Sequence, residues 1–432
     1  MRLFRASALL ALLFGIDKLI GLGRQVLVGR AYGVSAALDA YNAANNLPDL
    51  IFAIISGGAL AIAFIPFLTE TLDRDGRAAA WELFSRVANW AFVATAGLAL
   101  VIALFAGPLV RNVVVPGFAP DDQNLVIILM QLNLIATLIF SISGLVIGGL
   151  QAHQHFLLPA LAPILYNVGQ IVGVQFLAER LGIFGLAYGV ILGAVLHLAI
   201  QVPGLIRFGF RWTPSLQWRH PEMQRVARVM GPRVVTVAII YSIFVATDNF
   251  ASNLYEGAVT AIAYGWLILQ LPETIIGTSI ATALLPTLSE LVSRDEREAL
   301  KKTLRTAIAA MLALTIPATI VALLVIRPAV RLVFEGRAFT AEGTDLVVAA
   351  AQMFLLGLTG HSLLEIAART FYARQNAIVP LIAAALTAAL FVSLCFALTP
   401  LMGHAGIALA NTLAFTAEAL GLLWLLRRQG VL

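Results

Sequence analysis

The sequence predicts an all-α integral membrane protein with twelve transmembrane helices, arranged as two parallel six-helix repeats. Three observations predict this class: the composition, the number of apolar windows and the recurrence of short motifs. Hydrophobic residues make up 60% of the 432-residue chain, charged residues make up 12%, and the mean hydropathy is +0.92. Soluble domains carry about 25% charged residues, so nearly the whole chain is expected to lie in helices within a bilayer.

Apolar windows long enough to cross a bilayer, about 17–25 residues each, occur twelve times along the chain. The connectors between them are short and carry turn residues or charges. The predicted spans are 6–32, 38–70, 82–112, 123–151, 157–178, 183–207, 229–254, 258–291, 300–326, 344–372, 377–399 and 404–427.

Motifs of the first half recur in the second half, in the same order and at a nearly constant offset. Six pairs match, with offsets of 220 to 224 residues. Three of the pairs are PLVRNVV at 108–114 with PAVRLVF at 328–334, QAHQHFLLP at 151–159 with YARQNAIVP at 372–380, and GIFGLA at 182–187 with GHAGIA at 403–408. The chain is therefore expected to be an internal duplication.

The duplication also predicts the domains. Residues 1–210 form an N-terminal lobe of helices 1–6, 211–228 a cytoplasmic linker, and 229–432 a C-terminal lobe of helices 7–12. Six helices separate equivalent elements, so both halves insert with the same topology. Parallel repeats of this kind are typical of secondary transporters that alternate between inward-open and outward-open states.

Basic residues predict the orientation. Of the 28 Lys and Arg residues, 20 fall in segments on the side of the N-terminus, 6 on the opposite side, and Lys18 and Arg24 within a span. Cytoplasmic loops carry the excess of Lys and Arg, so both termini are predicted to be cytoplasmic. The net charge of +5 is explained by these loops and does not indicate nucleic acid.

Polar side chains are concentrated between residues 17 and 70, where the surroundings are apolar. The predicted substrate-binding residues are Lys18, Arg24, Asp39, Asn45 and Asn46. A charge at the centre of a bilayer helix costs at least ~2.5–3.5 kcal/mol, so such residues normally face a bundle interior or a watery cavity. The alternative is structural: Lys18 or Arg24 pairs with an acid to hold helices together, or both side chains reach the membrane interface.

Candidates for ion coupling or gating lie in the second half: Asp248, His361, Glu365 and Arg369. The last three are spaced i, i+4, i+8 and form one stripe on the tenth helix. They could form a gate or a substrate contact, or Glu365 and Arg369 could simply neutralise each other. Asp248 could couple transport to Na⁺ or H⁺, or accept hydrogen bonds from a neighbour.

Other chemistry finds no support in the sequence. The single cysteine, Cys395, excludes an intramolecular disulfide and a cysteine metal cluster. No Gly-x4-Gly-Lys loop is present, so no nucleotide site, cofactor or resident metal is expected, and no catalytic arrangement is indicated.

Several stretches of the chain carry a family resemblance that covers nearly its whole length: GLGRQVLVGRAYG from 21, GGALAIAFIPFLTE from 57, PALAPILYN at 159–167 and FYARQ from 371. Through them the chain resembles the MurJ/MviN lipid II flippases of the multidrug/oligosaccharidyl-lipid/polysaccharide exporter (MOP) superfamily. The resemblance implies a transporter that flips an undecaprenyl-pyrophosphate-linked sugar precursor outward. Cationic cavity residues meet the pyrophosphate in that family; Lys18 and Arg24 match two of these positions, and Asp39 matches a family acid.

The chain departs from the family pattern at three positions and in length. Phe52 and Leu267 stand where the resemblance implies cavity arginines, and Glu365 stands where relatives often carry a basic residue. The sequence also ends after twelve predicted helices, where the resemblance implies two more. The resemblance is therefore expected to predict the fold more reliably than the substrate.

Three functions remain open. The first is a flippase of a lipid II-like precursor in the bacterial cytoplasmic membrane. The second is an exporter of another lipid-linked oligosaccharide or amphiphile. The third is a non-transporting membrane scaffold. The predicted partners are the lipid-linked glycan and membrane lipids, and the sequence indicates no particular protein partner.

Overall fold

The computed structural model describes residues 2–55, 59–217 and 221–432, without the side chains of 2–9, 11, 59–63, 221–223 and 226–233. Over these residues the chain is helical, with no β-strand. The first half contains α1 (Arg2–Tyr32), α2 (Ala36–Ile55), α3 (Ala59–Leu104), α4 (Ala106–Leu109), α5 (Pro120–Ala152), α6 (Leu157–Val172), α7 (Ala178–Leu181), α8 (Phe184–Ala199) and α9 (Val202–Arg207).

The second half contains eight helices. They are α10 (Pro221–Ser252), α11 (Ala258–Pro272), α12 (Ser279–Ser293), α13 (Arg297–Phe334), α14 (Ala341–Leu356), α15 (Leu358–Ala373), α16 (Ile378–Met402) and α17 (His404–Arg428). Short π-helical turns at Val110–Val114, Gly173–Leu177 and Glu273–Thr278 continue α4, α6 and α11.

Within the described residues, nine helical segments are long and apolar enough to cross a membrane, and the pair α14 and α15, bent by 44°, makes a tenth. Helices α1 and α2 fall outside this set because charged side chains interrupt the apolar run of α1, and amide and carboxylate groups interrupt that of α2. With these two helices the described segments reach the predicted twelve, in the predicted order. The all-α membrane fold class is confirmed.

The described residues of the predicted second span, 38–70, are helical: α2 is described to Ile55 and α3 from Ala59 to Leu104, and the junction between them lies outside the described residues. The backbone of α3 breaks at Gly76, where φ is 83° and ψ is −179°. This conformation lies in a region that glycine adopts readily and other residues avoid, and it separates the polar end of one helix from the apolar start of the next.

The backbone shows the duplication directly. Gln154 and Gln375, 221 positions apart, both adopt a positive φ, of 56° and 57°. Gly182 and Gly403, also 221 apart, have φ of 56° and 58° and ψ of −136° and −137°. Equivalent turns in both halves therefore adopt the same positive-φ conformation, as a repeated sequence requires.

The chain divides into two compact units. The first is Met1–Gly33 with Ala40–Tyr241, and the second is Val34–Asp39 with Ser242–Leu432. The helix α10 begins at Pro221, inside the predicted linker 211–228. The predicted lobe boundaries remain a prediction.

Each unit has its own packed interior. Phe64, Trp81, Phe84 and Leu150 lie in an apolar cluster of the first unit, and Leu304, Met311, Phe371 and Leu422 in one of the second. In the first unit, α6 and α8 approach so closely that a Cβ on Gly169 would come within 2.3 Å of the Gly193 backbone. Small residues allow this approach between membrane helices, and it brings the polar residues of α6 and α8 to one site.

Candidate functional site

Lys18 and Arg24, the two predicted cavity cations, lie six residues apart on α1. At 3.6 residues per turn they point about 120° away from each other. Lys18 is exposed, whereas Arg24 is half-buried, and its Nε is buried without a hydrogen-bond partner. The charge of Arg24 acts on the hydroxyl groups of Tyr41 and Tyr166. Arg24 is therefore the cation placed toward the polar interior of the first unit.

A structural ion pair is not what holds these cations. In the part of the chain that the structure describes, neither Lys18 nor Arg24 forms an ion pair. The neighbouring acid, Asp17, instead accepts a hydrogen bond through its Oδ1 from Asn167 Nδ2 at 2.9 Å, which links α1 to α6. The paired-cation alternative is thus not realised in this conformation.

Asp39 closes the N-terminus of α11. Its Oδ2 accepts a hydrogen bond from the Gly257 backbone N–H, and its Oδ1 accepts one from that of Thr260, both at 2.6 Å. The residue is 1% exposed. A carboxylate favours this position because the first N–H groups of a helix have no partner within the helix. Asp39 is a helix cap here, and the substrate-binding role suggested by the sequence stays a prediction.

Asn45 lies on the wall of a cavity of about 230 Å³ in the first unit. The cavity is lined by side chains of α2, α5, α6 and α8: Asn45, Pro48, Asp49, Phe52, Asn133, Ala136, Thr137, Phe140, Pro163, Tyr166, Val190 and His197. Asn133 Nδ2 donates a hydrogen bond to Asn45 Oδ1 at 2.7 Å, which ties α5 to α2. Asn46 is half-buried and makes other interactions.

One face of α2 opens onto this cavity. Asn45, Asp49 and Phe52 are spaced i, i+4, i+7, and so lie on the same side of the helix. The Asp49 side chain is exposed, and no described residue gives its carboxylate a hydrogen bond or an ion pair. Phe52 packs edge-on against Phe140, with ring centroids 5.2 Å apart. The position where the resemblance implies an arginine is thus part of an aromatic wall.

The back of the cavity is a hydrogen-bonded network centred on His197. Ser143 Oγ lies 2.6 Å from His197 Nδ1, and Gln201 Nε2 donates to Ser143 Oγ at 2.9 Å. The direction of the bond between Ser143 and His197 is set by the tautomer of His197, because a hydroxyl group can both donate and accept. The ring of His197 also contacts Phe140 edge-on at 5.1 Å. His197 is therefore fixed in one orientation.

Asp49, Tyr166 and His197 are absent from the predicted site residues. The i, i+4, i+7 spacing on α2 is the signal that could have indicated Asp49 from sequence. No local pattern could have indicated Tyr166 or His197, because the close contact of α6 and α8 brings them to the cavity.

In the second unit, the stripe on α15 is internally satisfied. Arg369 forms an ion pair with Glu365 and donates a hydrogen bond from Nη2 to Thr282 Oγ1 at 3.1 Å. His361 is buried, and its Nε2 donates to Asn411 Oδ1 at 3.2 Å. The geometry is that of the self-neutralising pair, and the gating role of His361, Glu365 and Arg369 stays a prediction.

Two further acids lie inside the second unit. Asp248, the predicted ion-coupling residue on α10, is 9% exposed and has partners of its own. Glu418 on α17 is not among the predicted residues, and it interacts with Thr387 of α16 through a side-chain hydrogen bond. No group of three or more His, Cys, Asp or Glu side chains that could hold a metal ion occurs among the described residues.

A duplicated helical membrane protein that also carries charged side chains such as Arg24, Asp49 and Asp248 within its helices has the features of a membrane transporter. The comparisons with known proteins define the family. The family model described as "Lipid II flippase MurJ" matches residues 28–432, and the chain belongs to this family.

Similar proteins agree over nearly the whole length. The lipid II flippase MurJ of Burkholderia cenocepacia is 29% identical, with 100% of this chain and 85% of that protein covered. The probable lipid II flippase MurJ of Rhizobium tropici is 28% identical, over 96% of this chain and 79% of that protein.

The fold is similar to that of a lipid II flippase MurJ solved in an inward closed conformation. The TM-score is 0.84 at 23% identity, and 97% of this chain and 87% of that chain are covered. An inward-facing multidrug resistance transporter of the MATE family and MOP superfamily follows, with a TM-score of 0.76 at 15% identity over 95% and 94% of the two chains. The MOP-type transporter fold is confirmed.

Proposed function

We propose that the protein is a flippase that carries an undecaprenyl-pyrophosphate-linked cell-wall precursor, similar to lipid II, across the bacterial cytoplasmic membrane by alternating access. The observation that carries this proposal is the family match over residues 28–432. The protein acts as a secondary transporter rather than as an enzyme, and both termini lie in the cytoplasm, as the distribution of Lys and Arg requires.

Arg24 is the first candidate for contact with the pyrophosphate. A guanidinium group holds phosphate oxygens through charge-assisted hydrogen bonds, which are the strong ones in a low-dielectric setting. The Nε of Arg24 is buried without a partner, so an anion that enters the interior would find a donor there. Lys18 supplies a second positive charge on α1, from a different direction.

The driving force is proposed to come from an ion gradient or from the membrane potential. Moving one charge through 100 mV is worth about 2.3 kcal/mol, enough to bias one step of a transport cycle. Asp248 is the candidate for coupling to Na⁺ or H⁺, because it is an acid buried in a spanning helix. The ion pair of Glu365 with Arg369 is the candidate gate.

A second candidate function is the export of another lipid-linked glycan or amphiphile. The observation that favours it is the cavity wall itself: Phe52 packs against Phe140 where a cationic side chain would serve a pyrophosphate. Asp49 on the same helical face adds a negative charge, which opposes the binding of an anion nearby.

Reconstitution into proteoliposomes tests both candidates. Fluorescent lipid II in one leaflet, and its undecaprenyl-monophosphate counterpart with the same sugar, are followed by an impermeant quencher that reports arrival in the other leaflet. The proposed function predicts faster transfer of the pyrophosphate lipid than of the monophosphate lipid. The two candidates separate here, since equal or reversed rates would favour the second one. No transfer of either lipid above protein-free vesicles would contradict both.

A further inference from the structure

The cavity in the first unit contains an acid whose carboxylate has no partner among the described residues. Asp49 is exposed to the cavity, and no hydrogen bond or ion pair from a described residue reaches its carboxylate. The charges of Asp49 and Arg24 both act on the hydroxyl groups of Tyr41 and Tyr166, yet these two charged groups form no ion pair with each other. An unpaired charge inside a membrane protein is costly and normally belongs to a functional site.

Aromatic rings form the wall next to this acid. Phe140 is the central ring, with centroids 5.2 Å from Phe52, 5.0 Å from Tyr166 and 5.1 Å from His197, and all of these contacts are edge-to-face. Because these rings pack edge-to-face, their faces are not parallel to one another, and all four rings line the same cavity. The face of an aromatic ring attracts a cation within about 6 Å of its centroid.

The shape and the donor set favour an organic cation over a metal ion. A volume of about 230 Å³ is several times the roughly 30 Å³ share of one water molecule. Hard metal cations require six or more oxygen ligands. Here the lining offers one carboxylate and the Oδ1 of Asn133, which has no hydrogen-bond partner, whereas Asn45 Oδ1 already accepts a hydrogen bond from Asn133. This is fewer than six oxygen ligands.

Arg24 does not fill this role. The charges of Arg24 and Asp49 both act on the hydroxyl of Tyr166, but Arg24 is not among the residues that line the cavity and forms no ion pair among the described residues. A ligand that carries a cation would bind on the Asp49 side, between the carboxylate and the rings of Phe52 and Phe140.

We infer that this cavity binds an ammonium group, with Asp49 as its counter-ion and Phe52, Phe140 and Tyr166 as the aromatic wall. This site is additional to any pyrophosphate contact by Arg24. The ammonium group belongs either to a free organic cation or to an amine substituent on the transported amphiphile.

Choline and its uncharged isostere, 3,3-dimethylbutan-1-ol, test the inference by calorimetric titration of the full chain in detergent at constant ionic strength. Choline is expected to bind at least tenfold more tightly than the alcohol. Asp49→Asn, which keeps the shape and removes the charge, should weaken choline about tenfold. Asp121→Asn, a matched change of an exposed acid at the start of α5, should leave choline binding unchanged.

Choline binding by Phe140→Leu is a second test, and it does not depend on the folding of the Asp49 variant. It keeps an apolar side chain and removes the ring, so choline should weaken several-fold while the alcohol changes little. The inference is overturned if choline and the alcohol bind equally, if choline does not bind, or if either variant binds choline as the unaltered protein does.

Competition identifies the source of the ammonium group. Displacement of choline by an amine-bearing lipid-linked precursor, but not by its N-acetylated form, places the ammonium on the substrate. If neither lipid displaces bound choline, the ligand is a free organic cation.

Discussion

The Asp39 carboxylate accepts hydrogen bonds from the backbone N–H groups of Gly257 and Thr260, both at 2.6 Å. Asp39 follows the first helix in sequence, yet its two bonds are made 218 and 221 residues further along the chain. The short segment Val34–Asp39 accordingly belongs to the second compact unit. A residue that the sequence places among the substrate ligands is, in this conformation, the cap of a distant helix.

Replacement of Asp39 should therefore lower the free energy of unfolding of the protein, and any loss of transport should follow from that lower stability. Asp39→Ala removes a buried cap, and caps contribute about 0.5–2 kcal/mol to the free energy of unfolding. Asp39→Asn keeps one acceptor oxygen and should cost less. Thermal unfolding in detergent measures both, with the exposed Asp121→Asn as the control. A normal melting temperature with lost transport would instead support a direct role in substrate binding.

The orientation predicted from Lys and Arg can be measured by cysteine labelling. Single cysteines at Thr213 and Arg297 should react only with reagents in the cytoplasm, and those at Pro120 and Glu342 only with reagents outside. The native Cys395 is buried and should give little background, which the unaltered protein checks. Reaction of the Thr213 cysteine with an impermeant external reagent in intact cells would reverse the topology.

Lys18→Ala and Arg24→Ala should each abolish transport while expression and melting temperature stay close to those of the unaltered protein. Neither cation is held in an ion pair among the described residues, so their removal breaks no such contact. Arg111→Ala changes an exposed cation that bonds Asn124 at 3.0 Å and serves as the control. Normal transport by either variant would show that the cation concerned is not required.

Asp248→Asn should remove the dependence of transport on Na⁺ or H⁺ and leave substrate binding in place, because the amide keeps the shape and loses the charge that would bind the ion. The measurement is the transport rate in proteoliposomes at varied Na⁺ and pH, beside equilibrium binding of the lipid. An ion dependence equal to that of the unaltered protein would exclude Asp248 as the coupling residue.

The unaltered chain should rescue poorly, or not at all, a bacterium depleted of its own lipid II flippase. Phe52 and Leu267 each stand where the resemblance implies an arginine, so two donors for a pyrophosphate are lost. Arginine at both positions should improve rescue. Robust rescue by the unaltered chain would show that Lys18 and Arg24 suffice.

The structure refines this experiment. Phe52 lies three residues beyond Asp49 on the same face of α2, so an arginine at 52 would pair with Asp49 and be partly neutralised. The triple change Asp49→Asn, Phe52→Arg, Leu267→Arg should therefore rescue better than the two arginines alone. Equal rescue by the double and triple variants would show that Asp49 does not neutralise the introduced arginine.

The sequence by itself determined the fold class, the helix order and the duplication. Apolar length and turn residues are local properties, and the bilayer thickness converts them directly into spans. The repeat was visible because equivalent turns need equivalent residues, and the matching backbone angles at Gly182 and Gly403 follow from that need. The sequence also indicated the Glu365–Arg369 pair as one alternative, since side chains spaced i, i+4 lie next to each other on a helix.

Only the tertiary structure decided which polar residues face which partner. Asp39 caps α11 through bonds that span more than 200 residues, and no local spacing encodes such a distance. Tyr166 and His197 reach the cavity because α6 and α8 meet at glycines, which have no side chain and so allow the two backbones to come into direct contact. Asp49 is a candidate because no described residue around it provides a partner for its carboxylate. Whether a charge is paired depends on every helix packed around it, and the sequence of one helix cannot contain that information.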